Sequence, residues 1–416
     1  MKENKNAFKN NINGNKKIFS NDNNRYKDIY FYDSFEKLKF LYTIQEKEHP
    51  VSDIISLNEM NYLTLDKKDF YIRTLGQKNK SYKESFEENS KINKIIFSSG
   101  KIILTLENSR INVNNEKSQT YSLKVGFNNN NNNDSKIQFI SCSINNEPYD
   151  IIETGDIIIL VGNNIIELFK IIQDNNNNNS YSITKISEIK LNENNDNNNN
   201  NNDDKLKILC IEKTDKYLIC GHASGHISIW QPIQDYPFLK VISFSRIHIG
   251  AINRIIYDKY NDNTDVIISC SSDKTVKVHS IDDIVCFKVL NFYDEVIDIK
   301  KIIDYDEKPN YFLKLKNGNL MLYNSIFKKN FEITNQSNAN IQRNVIYLNN
   351  VNNNNNEKNN NNNSQVKEKY ILISENNKIN VYKWIKEEEK KSNNNFYNNN
   401  NQFKGNNKYK TKNKHW

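Results

Sequence analysis

Apolar residues two apart recur along the chain in short runs, each set off by a polar turn. Seven runs align: Asp69–Ile72, Arg110–Val113, Ile165–Leu168, His226–Ile229, Thr275–Val278, Asn319–Leu322 and Lys378–Val381. A period of two places both apolar side chains of a run on one face of a β-strand. In five of the seven a ring follows at the next position: Phe169, Trp230, His279, Tyr323 and Tyr382. Tight polar pairs such as Ser224-Gly225, Asp273-Lys274, Asn317-Gly318 and Asn376-Asn377 come just before. Gly and Asn tolerate the positive φ that hairpin turns demand.

Each run predicts the third strand of a repeating unit. A second strand is expected before it, at Asn61–Leu65, Ile102–Leu106, Ile157–Val161, Tyr217–Cys220, Val266–Ser269, Tyr311–Leu315 and Tyr370–Ser374. First strands fall at 52–57, 92–97, 137–141, 206–211, 252–257, 296–303 and 344–348. Fourth strands are more polar, as edge strands are, and fall at 82–86, 122–127, 182–191, 239–244, 286–292 and 329–334. The seventh unit has no fourth strand after Trp384, and the early strand Leu38–Ile44 has no unit of its own. Pairing the two removes an exposed edge and closes a ring. A short strand is also expected at Asp28–Asp33.

Asparagine runs interrupt the pattern, which predicts disordered inserts at 128–135, 174–180, 192–204 and 352–366. Such runs bury nothing apolar and cannot offset the entropy of being ordered. The runs at 128–133 and 192–204 are expected between one unit and the next, on either side of unit three, and the others on the opposite face. Charge is concentrated at the ends. Residues 1–27 hold seven Lys/Arg and two acids, and residues 386–416 hold eight Lys and three Glu. Each end is therefore +5 of the chain's +8, which leaves −2 for residues 28–385. Both ends read as disordered basic tails flanking the repeat region 28–385. Contact with nucleic acid through them is the sharper alternative to plain solvation, and Lys408–Lys414 is a weak candidate import signal. Five scattered cysteines without a CxxC pair suit reduced thiols in the cytoplasm or nucleus. No apolar stretch resembles a signal peptide or reaches the ~18 residues of a membrane span.

Candidate chemistry is sparse. His248, Ser269 and Asp273 carry the residue types of a nucleophilic triad. Cys210, Cys220, His222 and His226 are the residue types of a zinc site, but the cysteines are too far apart in sequence for a finger. No phosphate-cradling glycine loop or metalloprotease motif occurs. The stretch Phe244–Ile281 sets His248 ahead of a strand, Ser269 on the next strand and Asp273 in the turn after it. It resembles one blade of the WD40-repeat family. That resemblance implies an all-β, seven-bladed β-propeller with an N-terminal strand closing the last blade. At roughly 40 residues per blade, seven blades need about 300 residues, which the 416 residues supply. It also implies that His248, Ser269 and Asp273, together with a Trp retained in blade four as Trp230, belong to a buried structural network instead of a catalytic one. Blade five has His279 at the Trp position, so its network is altered. The expected function is a protein-binding scaffold within an intracellular complex, without catalysis, cofactor, metal, small-molecule substrate or membrane. An RNA- or ribosome-assembly-associated propeller is the alternative. The expected partner contacts are turn residues: Lys67, Ser109, Asn163, Ser224, Lys274, Asn317 and Asn376.

Overall fold

The computed structural model describes residues 17–18, 27–31, 38–46, 50–58, 60–76, 81–111, 117–128, 137–173, 180–191, 206–233, 238–260, 264–335, 343–351 and 367–385. Both chain ends apart from 17–18 and Lys27, the candidate import signal and nearly all of the asparagine-rich inserts lie outside the described residues. Three strands, β1 (Lys17–Ile18), β2 (Lys27–Phe31) and β3 (Leu38–Gln45), precede the repeats. Blade one is β4 (Asp53–Ser56), β5 (Asn61–Leu65), β6 (Asp69–Thr74) and β7 (Ser81–Ser85). Blade two is β8 (Ser90–Ser98), β9 (Lys101–Ile111), β10 (Lys117–Asn128) and β11 (Ile137–Ile144). Blade three is β12 (Asp150–Thr154), β13 (Ile157–Gly162), β14 (Ile165–Gln173) and β15 (Tyr181–Lys190). Blade four is β16 (Ile208–Lys213), β17 (Leu218–His222), β18 (His226–Ile233) and β19 (Phe238–Arg246). Blade five is β20 (Ile252–Tyr260), β21 (Thr264–Ser271), β22 (Thr275–Ser280) and β23 (Cys286–Asn291). Blade six is β24 (Val296–Ile303), β25 (Pro309–Leu315), β26 (Leu320–Tyr323) and β27 (Lys329–Asn335). Blade seven is β28 (Arg343–Val351), β29 (Lys367–Glu375) and β30 (Lys378–Trp384), completed by β3.

Seven apolar cores account for the ring. Each lies between two consecutive blades, and the last joins blade seven to blade one through Leu372, Ile379, Val381, Ile54 and Tyr62. The second strands are buried on both sides. In β13, Ile158 and Leu160 face blade two while Ile159 and Val161 face blade four. In β29, Ile371 and Ile373 face blade six while Leu372 faces blade one. Strands covered on both faces read as continuous apolar runs, which is why they are the most legible segments of the sequence. The molecule is a seven-bladed β-propeller. Closure runs through β3, antiparallel to β30 from Leu38 opposite Trp384 to Gln45 opposite Lys378. Leu38 and Trp384 are buried together in the core between blades six and seven.

Three expectations are corrected. Blade two is longer than its pattern suggests. Arg110 lies in β9 opposite Ser118, so 110–113 is not a third strand; that strand is β10, and 137–141 belongs to the fourth strand, β11. The polar string Glu107-Asn108-Ser109-Arg110 imitates a turn but forms the far part of a long hairpin. Blade three instead begins at β12, whose first residue, Asp150, is buried and breaks the apolar pattern. As a result, the asparagine run at 128–133 falls within blade two, between its third and fourth strands, and not ahead of blade three. Finally, residues 17–18 and 27 are not part of a free tail. β2 adds to the outer edge of blade six, Lys27 opposite Asn335 through Phe31 opposite Phe331, and β1 adds beyond it. Among the described residues that blade therefore has six strands where every other has four.

Candidate functional site on the turn face

The second-to-third turns and the connections between blades share one face. Four turn residues predicted as contacts are exposed there: Lys67, Asn163, Lys274 and Asn376. Ser224 and Asn317 are half-buried. Ser109 is not in a turn at all; it sits within β9, opposite Gln119. The turn of blade two falls in residues 112–116, outside the described residues. One position in each of five turns takes positive φ: Asn163, Gly225, Lys274, Gly318 and Asn376. Gly225 is required for a second reason. A Cβ there would come within 2.2 Å of the His248 carbonyl oxygen. The Gly225 carbonyl in turn accepts the amides of Ile247 and His248, each at 3.0 Å. Blade four's turn is thus clamped beneath the connection to blade five.

His248 organises the next turn. Its Nδ1–H donates to Asp273 Oδ2 at 2.9 Å, and Ser269 Oγ donates to its Nε2 at 2.9 Å; the tautomer follows from these partners. Asp273 also accepts the amides of Ile249 and Thr275, each at 3.0 Å, and the Thr275 hydroxyl at 2.6 Å. Burial alone would raise the Asp273 carboxyl, but Thr275, His248 and the Ile249 amide outweigh it and hold it at about 2. Burial holds the His248 imidazole below its ordinary range, against the pull of Asp273. The connectivity is that of a Ser-His-Asp triad, yet Ser269 is 0% and His248 1% exposed, so no substrate carbonyl reaches the hydroxyl. The geometry ties a strand, a turn and an inter-blade connection together.

Trp230 lies apart from these three residues, in a second network. Its Nε1–H donates to Ser228 Oγ at 2.8 Å, Ser228 donates to His222 Nε2 at 2.8 Å, and His222 Nδ1–H donates to the Leu206 carbonyl at 3.0 Å. Such a chain polarises itself cooperatively. Burial pushes the His222 imidazole down to about 4. His226 stacks on Phe244 with 4.8 Å between centroids, and its Nδ1 shares a hydrogen bond with Ser224 Oγ at 2.9 Å. In blade five the place of Ser228 is taken by Lys277, whose ammonium donates to the Ile247 carbonyl at 2.7 Å. His279 is left with a buried Nδ1 that has no partner. The five ring residues share one further property. Phe169, Trp230, His279, Tyr323 and Tyr382 all stand at a register shift between the third and outer strands. Blades one and two have neither the ring nor the shift. The bulge accommodates the ring and twists the outer strand.

The first strands of neighbouring blades lie against one another and form the inner wall. Asp150 is buried in that wall. It accepts from Lys94 Nζ of blade two at 2.8 Å, the Ile211 amide of blade four at 3.1 Å and Arg254 Nη1 of blade five at 2.7 Å. Burial acts to raise its carboxyl, but Lys94 and Arg254 outweigh burial and hold it below the usual range. Burial pushes Glu212, beside the same guanidinium, up to about 7. Single strands give no sign of this network, because its members come from four blades. Among the described residues no cluster of His, Cys, Asp and Glu is arranged to hold a metal, and no helix is long and apolar enough to cross a membrane.

The sequence matches no protein-family model and no curated protein. In three dimensions the chain is similar to Raptor from Chaetomium thermophilum, known from a crystal structure. The TM-score is 0.57 at 8% identity, over 84% of this chain and 29% of that one. The match thus occupies less than a third of Raptor's chain, and at this identity it is a likeness of fold. Solved chains similar in shape number 1138, so the architecture alone selects no partner.

Proposed function

We propose that this chain is a WD40-type propeller acting as a protein-binding scaffold in an intracellular complex, without catalysis. The observation that carries the reading is how the polar groups of the turn face are used. Buried His248 and Ser269 and half-buried Asp273 are consumed in fixing a turn, while Lys67, Asn163, Lys274 and Asn376 stand exposed on the turns of this face. A rigid ring with variable turns suits recognition. All five cysteines are free, consistent with a reducing cytoplasm or nucleus. The test is affinity purification of the full chain against a variant with all four exposed turn residues replaced. A stoichiometric protein partner that the variant fails to retain is expected. A partner retained equally by both, or turnover of a substrate by the pure chain, refutes the reading. The nucleic-acid alternative rests on the basic ends. It predicts salt-dependent RNA binding that disappears when Lys408, Lys410, Lys412 and Lys414 become Gln.

A further inference from the structure

Two large apolar side chains stand out on the turn face. Ile249, in the connection from β19 to β20, is 82% exposed, and Tyr293, in the connection from β23 to β24, is 56% exposed. Neither is on a loose loop. The Ile249 amide donates to Asp273 and its carbonyl accepts from Arg246 Nη2 at 3.2 Å. Tyr293 receives Lys274 Nζ on its carbonyl at 3.5 Å, and its hydroxyl lies beside the side chains of Asn317 and Asn319. The Asp273-Lys274 turn sits between the two and joins them, since the Lys274 carbonyl also accepts the Phe292 amide at 2.9 Å. Blades four to six thus present two preorganised apolar side chains on one hydrogen-bonded arc.

Four cations (Arg246, Lys274, Lys277 and Lys316) and three acids (Asp273, Asp294 and Glu295) line this arc, and they differ in how they are engaged. Arg246, Lys274 and Lys277 direct their cationic groups at backbone carbonyls, those of His248 and Ile249, Tyr293 and Ile247. The nearby acids are engaged. Asp273 turns inward to His248 and Thr275, Glu295 pairs with Lys316 at 2.7 Å, and Asp294 accepts the Asn317 amide. We propose that this arc docks an extended protein segment in which a bulky apolar side chain is flanked by carboxylates. The apolar side chain lies against Ile249 and Tyr293, and the carboxylates face Arg246 and Lys274. Fixed apolar anchors with a charged rim are what such recognition requires. The inference rests on the scaffold reading and narrows it to one site and one partner chemistry.

The test selects binders to the full chain from a random-peptide library, then measures each against variants. Acidic sequences with an embedded aromatic or aliphatic residue are expected. Their affinity should fall about tenfold or more in Ile249→Asp, Tyr293→Ala and Lys274→Glu, and stay unchanged in Lys39→Glu on the exposed outer strand of blade seven, with Lys67→Glu on blade one measured as the rival turn. Ile249 and Tyr293 are exposed enough that these variants should unfold at the wild-type temperature, which is measured alongside. Binders lacking acids, or binders insensitive to Ile249→Asp, overturn the arc. If binding is lost only with Lys67→Glu, the scaffold survives and this site does not. If no peptide binds anywhere and an RNA oligonucleotide binds instead, both fall.

Discussion

Asp273→Asn tests whether the His248 network holds the fold. The carboxylate accepts from His248 Nδ1, two amides and a hydroxyl. An amide side chain has one acceptor oxygen and would turn its own N–H groups toward some of those donors. Holding the carboxyl at about 2, against an ordinary 3.8, corresponds to about 2 kcal/mol before screening. The turn is open to solvent on its outer side, which reduces this to about 1–2 kcal/mol. The hydrogen bond to the buried imidazole is already contained in that figure. Urea unfolding at pH 7 should therefore show the variant less stable by about 1–2 kcal/mol, a midpoint lower by roughly 0.3 M for a chain of this size. The pH dependence has a definite sign. A depressed carboxyl favours the folded state wherever it is ionised, so the wild-type advantage is full above about pH 4 and fades as pH falls toward 2. An unchanged midpoint at pH 7, or a difference that persists undiminished at pH 2, would refute the reasoning.

Further consequences concern closure, turn geometry, the inner wall and acid sensitivity. Trp384→Ala empties a fully buried site beside Leu38 in the closing blade and should cost about 3–5 kcal/mol by denaturant titration. Gly225→Ala meets both positive φ and the His248 carbonyl and should cost more than about 2 kcal/mol, with perturbed histidine NMR shifts. Arg254→Met leaves the buried Asp150 charge short of a partner and should lower stability by about 3–5 kcal/mol; a neutral result removes the wall's role. His222 is kept neutral to about pH 4 in the folded state while the unfolded chain protonates it near 6.5, so its contribution is full above pH 6.5 and lost as pH falls to 4. His222→Gln should flatten that part of the stability profile by about 2–3 kcal/mol.

Period-two alternation determined most strands, because a strand buried on one or both faces must repeat its apolar residues at fixed spacing. The same alternation located Leu38–Ile44 as a strand without a unit, and with it the closure of blade seven. His248, Ser269 and Asp273 were legible as a set through the resemblance of Phe244–Ile281 to a WD40 blade, in which they fall in connection, strand and turn. Blade two was misread where four polar residues occupy an extended hairpin that local composition cannot distinguish from a turn. Only the folded ring brings Lys94, Asp150 and Arg254 together, since each is polar on a separate strand and their attraction exists only across blades. The attachment of β2 to blade six and the joining of Ile249 to Tyr293 through Lys274 also depend on long-range placement. Local pattern sets which way a side chain faces; which distant group it faces is settled when the seven cores close.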